Sequence, residues 1–424
     1  MISKLLPVRA LFIVSVLLVA GSSRCMPQSP AVEPLSLVQC FFLAQSHSEA
    51  LQTQSARQKE ATEHIAQARG ALLPGINFKY SKFFRDTVND TVAGEGLDTR
   101  LEAVQPLFYG FRRVEAVGLA KGERQREDFQ YRAVTRQLYG SVAQVFYTIA
   151  GIESDIRNVN ETLQLMQDRI KELTERVRLG KSRDSEVLMT ESQIAALRAQ
   201  EEKLQGDRSS ALETLAFLTG AAPERLAIVD TMPEVTRAEP LEQALAASKQ
   251  RSDVLVARQN VAQEESLVRI SRGTLLPTAN LDGSWYASRS GSLSGAAWDI
   301  YLLMDVPVFQ GGILRSRVRE ESLRLSEARQ QAELVSRQTE TEVRQLYHAL
   351  KSSLAQAGAY REAYDKADRS YRSQMKEYRL GLVNNLDVLQ AVTTLLSVKS
   401  SSDRAAIQVK LATTMLDIST EKIK

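Results

Sequence analysis

No proline occurs between residues 107 and 222, and none from 308 to the C-terminus. An interior proline costs a helix about 3 kcal/mol, so these two tracts permit helices longer than a globular core can use. The apolar pattern makes such helices the expectation. Leu138, Val142, Val145, Ile149, Ile152, Ile156, Val159, Leu163, Met166, Ile170, Leu173 and Val177 are spaced alternately by four and three residues. That is the period of about 3.5 of a coiled-coil stripe. The same register returns at Val343, Leu346, Leu350, Ala357, Tyr360, Tyr364, Ala367, Tyr371 and Tyr378, interrupted at Ser353 and Gln374. A helix over 111–178 would be about 100 Å long at about 1.5 Å per residue, and it must pack against long partners. The amphipathic stretches 35–69, 182–218, 241–272 and 385–420 are expected to supply them. Gly180 and Gly381 close the long helices, with Arg178 and Arg379 in the last turns, as helix C-termini favour.

The chain repeats itself. Leu72-Leu73-Pro74 returns as Leu275-Leu276-Pro277, and Pro106-Leu107-Phe108-Tyr109-Gly110 as Pro307-Val308-Phe309-Gln310-Gly311. Arg178-Leu179-Gly180 returns as Arg379-Leu380-Gly381, and Glu186-Val187-Leu188 as Asp387-Val388-Leu389. The last three matches share an offset of 201, and the first is shifted by two, which a small insertion in one loop explains. A first structural repeat is therefore expected over 24–220 and a second over 241–424. Pro223, Pro233 and Pro240 mark a linker over 221–240.

Around the Leu-Leu-Pro motifs the period drops to two. Ala279, Leu281, Gly283, Trp285 and Ala287 alternate with polar neighbours, and Trp298, Ile300, Leu302, Met304, Val306 and Val308 do so after a Gly/Ser-rich turn. Both runs have the 9 to 11 residues of a tilted transmembrane strand. They hold both tryptophans of the chain, residues that anchor at membrane interfaces. Strand pairs are expected at about 74–109, a weaker copy, and 276–310, with helical hairpin tips at about 178–185 and 379–386. A soluble hairpin capping a helical bundle fits the alternation too. Four strands cannot close a spanning barrel, which starts at about eight, so membrane insertion would force several chains to share one barrel.

Residues 1–23 read as a signal peptide: Lys4 and Arg9 precede the apolar run from Ala10 to Ala20, and Gly21, Ser22 and Ser23 follow. Cys25 raises lipidation, although Arg24 is a poor fit to the small residue such sites want. With 54 basic and 51 acidic residues the chain has no electrostatic case for nucleic acid. Cys25 and Cys40 are too few for a disulfide framework. His47, His64 and His348 lack zinc spacing. With no phosphate-binding Gly loop or nucleophile elbow either, no cofactor, metal or catalytic residue is expected.

The doubled order of helix, Leu-Leu-Pro, strand pair, Pro-x-Phe-x-Gly, long helix, Arg-Leu-Gly and helix resembles the TolC-like outer-membrane efflux proteins, over roughly residues 35–420. The resemblance implies a mainly α protein with a small transmembrane β part. Three protomers would give four strands each to a 12-stranded barrel and continue as a periplasmic α-helical barrel. It also implies a homotrimer set in outer-membrane lipids, working with a periplasmic adaptor protein and an inner-membrane pump. By position, Arg178, Leu179, Gly180, Arg379, Leu380 and Gly381 would be adaptor-contact tips. The stretch from Asn384 to Gln390 looks like the family's pore-entrance helix. Asp387 matches one acid found there in some members, and Gln390 stands where a second would be. Asp184 and Glu186 lie nearby in the first repeat.

The function implied is an exit duct of a tripartite efflux or type I-like secretion system, a passive conduit without a nucleotide motif of its own. The alternative is a periplasmic coiled-coil adaptor or structural protein with soluble hairpins.

Overall fold

The computed structural model describes residues 34–84, 95–290 and 294–422. The signal segment, Cys25 and the tips of both strand turns lie outside the described residues. The order of elements is α1 (Leu37–His47), α2 (Glu49–Gly70), β1 (Gly75–Phe84), β2 (Glu95–Tyr109), α3 (Arg112–Arg178) and α4 (Asp184–Thr219). Then come α5 (Leu241–Ser248), α6 (Ser252–Gly273), β3 (Thr278–Ser288), β4 (Trp298–Asp305), α7 (Ile313–Arg379) and α8 (Asn385–Ser419). The long helices α3 and α7 have 67 residues each.

Two stretches expected as single helices are broken. The run 35–69 divides at Ser48, whose backbone turns extended while its hydroxyl accepts from Leu51 N, so that it caps α2. The run 241–272 divides before Arg251, which is extended at ψ 141°. Its nearly buried guanidinium is held by Asp253 and Glu342, and the Glu342 pair anchors the break to α7. A third difference is in the sheet: β4 stops at Asp305, so Val306 and Val308 are not in a strand. β3 offers no partner beyond the Thr278–Asp305 pair.

The sheet is antiparallel in the order β1-β2-β3-β4. Next to it the helices lie in the order α2, α3, α6, α7, and farther from it α4, α3, α8, α7. Within this unit β1, α2 and α4 form one edge, and β4 and α7 the other.

The coiled-coil stripe of α3 fills the interior. Val142, Ile149, Val159, Leu163, Met166 and Leu173 are buried. Near the middle they meet α1, α4 and α8, where Phe41 stacks on Tyr139 at 4.4 Å. Closer to the hairpins, Met166 packs with Ile194, Leu197, Leu389 and Val392. The matching stripe of α7 is half empty: Val343, Leu350 and Tyr378 are buried, whereas Tyr360 is 40% exposed. An edge helix has neighbours on one side only. The linker is held rather than loose, since Leu35 and Ile228 form a parallel bridge and Lys410 pairs with Asp230 at 2.7 Å.

Candidate functional site

Both hairpin tips are built by the same local chemistry. At the end of α3, Gly180 adopts φ +67°, Gly180 N donates to Val177 O and Lys181 N to Arg176 O. At the end of α7, Gly381 adopts φ +76°, its N–H reaches Tyr378 O, and Leu382 N reaches Glu377 O. Both are Schellman closures, which need a left-handed residue and so favour glycine. They leave Leu179 and Leu380 61% and 67% exposed beyond the helix ends. Arg178 pairs with Glu175 at 2.8 Å. Arg379 has no ion-pair partner among the described residues and lines a groove with Tyr371, Met375, Leu389 and Val392. Burial raises the Tyr371 hydroxyl above its ordinary pKa.

The acids proposed from sequence sit in the first turns that follow. Asp387 completes a capping box: its N–H donates to Asn384 Oδ1 at 3.1 Å and its carboxylate accepts from Asn384 N at 3.0 Å. Gln390 is exposed about one turn on. In α4, Glu186 accepts from Ser182 Oγ at 2.6 Å, and Asp184 is exposed. The starts of α4 and α8 are neighbours, because Asn385 Nδ2 donates to Glu186 O at 3.5 Å and to Thr190 Oγ1 at 3.4 Å. No hydrogen bond or ion pair joins Asp387 to Asp184 or Glu186 within the described residues.

What the sequence reading missed lies beneath these acids. Arg169 is 5% exposed, donates twice to Asn385 Oδ1, and pairs with Glu172 at 2.8 Å. Its guanidinium stands 3.7 Å from the ring centroid of Tyr378, and that of Arg176 stands 4.5 Å away. This buried polar cluster ties α3, α7 and α8 together at the base of the tips. The one sequence cue was the Asn384-Asn385 doublet, of which the first member caps and the second points inward.

At the opposite end of the helices the sheet is two-faced. Ile76, Phe78, Tyr80, Leu101, Trp285, Trp298, Ile300, Leu302 and Met304 are all exposed, and cross-strand pairing puts them on one face. The other face carries Lys79 paired with Glu102 at 2.5 Å and Arg289 paired with Asp299 at 3.1 Å. An apolar face this broad needs a cover, and its height of about 10 residues per tilted strand matches a bilayer core. Among the described residues no helix is long and apolar enough to cross a membrane, and no group of three or more His, Cys, Asp or Glu could hold a metal ion.

The family model for "Outer membrane efflux protein" matches residues 42–221 and again 243–417. The chain belongs to that family. Like the TolC-type proteins it resembles, this outer membrane efflux protein is an exit channel of the outer membrane for efflux or secretion, and it extends into the periplasm. It is 23% identical over 387 residues to the outer membrane protein TolC of Escherichia coli, covering 86% of this chain and 78% of that protein. It is 25% identical over 407 residues to the alkaline protease secretion protein AprF of Pseudomonas aeruginosa, covering 88% and 81%. The outer membrane protein VceC of Vibrio cholerae has the same fold, with a TM-score of 0.78 at 19% identity, covering 91% of this chain and 95% of that one. CusC gives a TM-score of 0.81 at 18% identity, covering 91% of each chain.

Proposed function

We propose that three copies of this chain close a passive exit duct, without catalysis of its own, that a periplasmic adaptor and an inner-membrane pump open and supply. The observation that carries the reading is the pair of open edges. β1 and β4 are both unpaired on their outer sides and run antiparallel, so β4 of one copy can pair with β1 of the next. Such a head-to-tail interface closes into a ring when the rotation allows, and three copies give 12 strands, enough for a spanning barrel. The apolar sheet face then meets lipid and the charged face lines the lumen.

The internal duplication supports the same closure. Where the two repeats meet inside one chain, Gln105 pairs with Leu281. The duplicate of that contact between copies joins Val306 to Phe78, both exposed in the single chain. Residues 306–310 would then extend β4, as the sequence alternation suggested.

At the far end the exposed Leu179 and Leu380, held out by Gly180 and Gly381, offer apolar knobs to an adaptor, flanked by Arg178 and Arg379. Asp387 would place three carboxylates around the axis, with Asp184, Glu186 and Gln390 beside them, and focus a potential that favours cations. The Asp387 capping box serves the helix as well, so one residue takes both roles.

Single-channel recording of the purified mature protein in a planar bilayer tests the reading. Stable cation-preferring openings are expected, and Asp387→Asn, which keeps an acceptor for Asn384 N, should reduce the preference without altering the fold. Failure to insert, with solubility in the absence of detergent, would instead support a periplasmic coiled-coil protein.

A further inference from the structure

The four helix ends beneath the sheet carry a one-sided charge. α2 ends, α3 begins, α6 ends and α7 begins within a few residues of the strands. In the two turns nearest the sheet, residues 64–70, 112–118, 267–273 and 313–319, there are eight arginines and one acid, Glu115. The connections 71–74, 110–111, 274–277 and 306–312 add no charge. Glu115 is already taken by Arg269 at 2.8 Å. Arg112 donates to Tyr109 O at 3.0 Å, and Arg113 stacks on the Tyr109 ring. Arg69, Arg272, Arg315, Arg317 and Arg319 have no ion-pair partner among the described residues, and all five are exposed.

These five do not face one way. Arg317 and Leu314 line a recess with Thr278 and Asp305, on the charged side of the sheet. Arg315 and Arg319, four residues apart, share the opposite side of α7. Their counterparts in the first repeat, Val114 and Gly118, are exposed on α3. Arg69 and Arg272 occupy equivalent positions in the two repeats, at the ends of α2 and α6. In the connections between these helices and the strands, Leu73 is 65% and Phe309 85% exposed, so apolar side chains adjoin the arginines. Arg319 lies about 9 Å along α7 from its start, at about 1.5 Å per residue. That is slightly more than the polar layer of a bilayer, about 5–8 Å deep on each side, and the long arginine stem spans the difference.

We propose that Arg69, Arg272, Arg315 and Arg319 form a collar that binds the phosphate groups of anionic phospholipids in the periplasmic leaflet of the outer membrane. The inference rests on the sheet spanning that membrane with its apolar face outward. A guanidinium below an apolar edge can lay its stem along the acyl boundary and bond a phosphate through two N–H groups. Glu115 is already paired, and Asp305 lies beside Arg317 on the charged side of the sheet, so lipid phosphate supplies counter-charge to these four arginines. The Trp285–Trp298 pair anchors the sheet toward its other end, so the two boundaries would be held by different chemistry.

The test is native mass spectrometry of the purified full-length mature protein, released from micelles holding equal phosphatidylglycerol and phosphatidylcholine. The wild type should retain several-fold more phosphatidylglycerol, and high salt should abolish the excess, because such attraction is screened within a Debye length. The R69Q/R272Q/R315Q/R319Q variant should retain the two lipids about equally, while the all-lysine variant at the same positions keeps most of the preference. Equal retention by the wild type, or an undiminished preference in the glutamine variant, overturns the proposal. Displacement by excess inorganic phosphate as readily as by phosphatidylglycerol vesicles would also overturn it, by showing a free-anion site. Conductance of each variant in a planar bilayer is recorded in parallel: loss of channels in the wild type would count against the duct itself, whereas intact channels without lipid preference count against the collar alone.

Discussion

Gly110 and Gly273 meet backbone to backbone where the first repeat joins the second. A Cβ on Gly110 would lie 2.1 Å from Gly273 O, and one on Gly273 would lie 2.3 Å from Gly110 O. Gly110 also needs its positive φ of +60°. Neither clash can be relieved by a rotamer, since both obstacles are main chain. Gly273→Ala should therefore lower stability by about 1–3 kcal/mol, the range for overpacking, read as a fall in melting temperature.

Gly70 holds the place of Gly273 in the other repeat, and nothing lies within 4 Å of a Cβ there in the single chain. The duplicated contact would bring it against Gly311 of the next copy. Gly70→Ala should leave protomer stability within about 0.5 kcal/mol, as for an ordinary surface change, yet reduce the trimer fraction in detergent. Normal trimer yield would show that the contact between copies differs from the one within a chain.

Register between copies can be read by cross-linking. With cysteine at Val306 and Phe78, oxidation should give covalent trimers on non-reducing gels, whereas cysteines at Val306 and Lys82 should link poorly. The native Cys40 will not compete: it is fully buried, and burial pushes its thiol up to about 11, so little thiolate forms at neutral pH.

At the base of the tips, Asn385→Ala would leave Arg169 Nε and Nη2 without their shared acceptor. A buried donor left unmade costs about 1–3 kcal/mol, so a melting temperature lower by several degrees is expected. Asp387→Ala should cost about 1 kcal/mol by loss of the return bond from Asn384 N, while the bond from the backbone N of residue 387 to Asn384 Oδ1 remains. Asp387→Asn should keep most of that stability, so comparing their melts and ion selectivity separates helix capping from lumen charge.

Acid stability should depend on Asp253. Burial pushes its carboxyl up, but the hydrogen bond from Arg251 and the charges of Arg136 and Arg251 outweigh burial and hold it below the ordinary value. A lowered folded pKa means the stabilisation is present above about 3.9, the unfolded value, and is lost as pH falls through the folded one. Melting temperature measured on the descending acid limb should drop less steeply in Asp253→Asn, which will start lower at neutral pH.

The sequence by itself determined the long helices, the four short strands, their two-fold repetition and the glycine-closed tips. Each follows from local rules: proline cost, a period of 3.5 or of 2, and the left-handed backbone that glycine allows. Asp387 was legible as a residue at a helix start, although its bond to Asn384 was not. The breaks at Ser48 and before Arg251 escaped notice, because the amphipathic pattern runs straight through both and only distant partners such as Glu342 hold the second. Arg169 escaped for the same reason. Nothing within a few residues marks it as buried, and its acceptor Asn385 is 216 positions away. The early end of β4 has the plainest cause. A strand is completed by its neighbour, and the residues that would pair with 306–310 are not within reach in the chain that carries them.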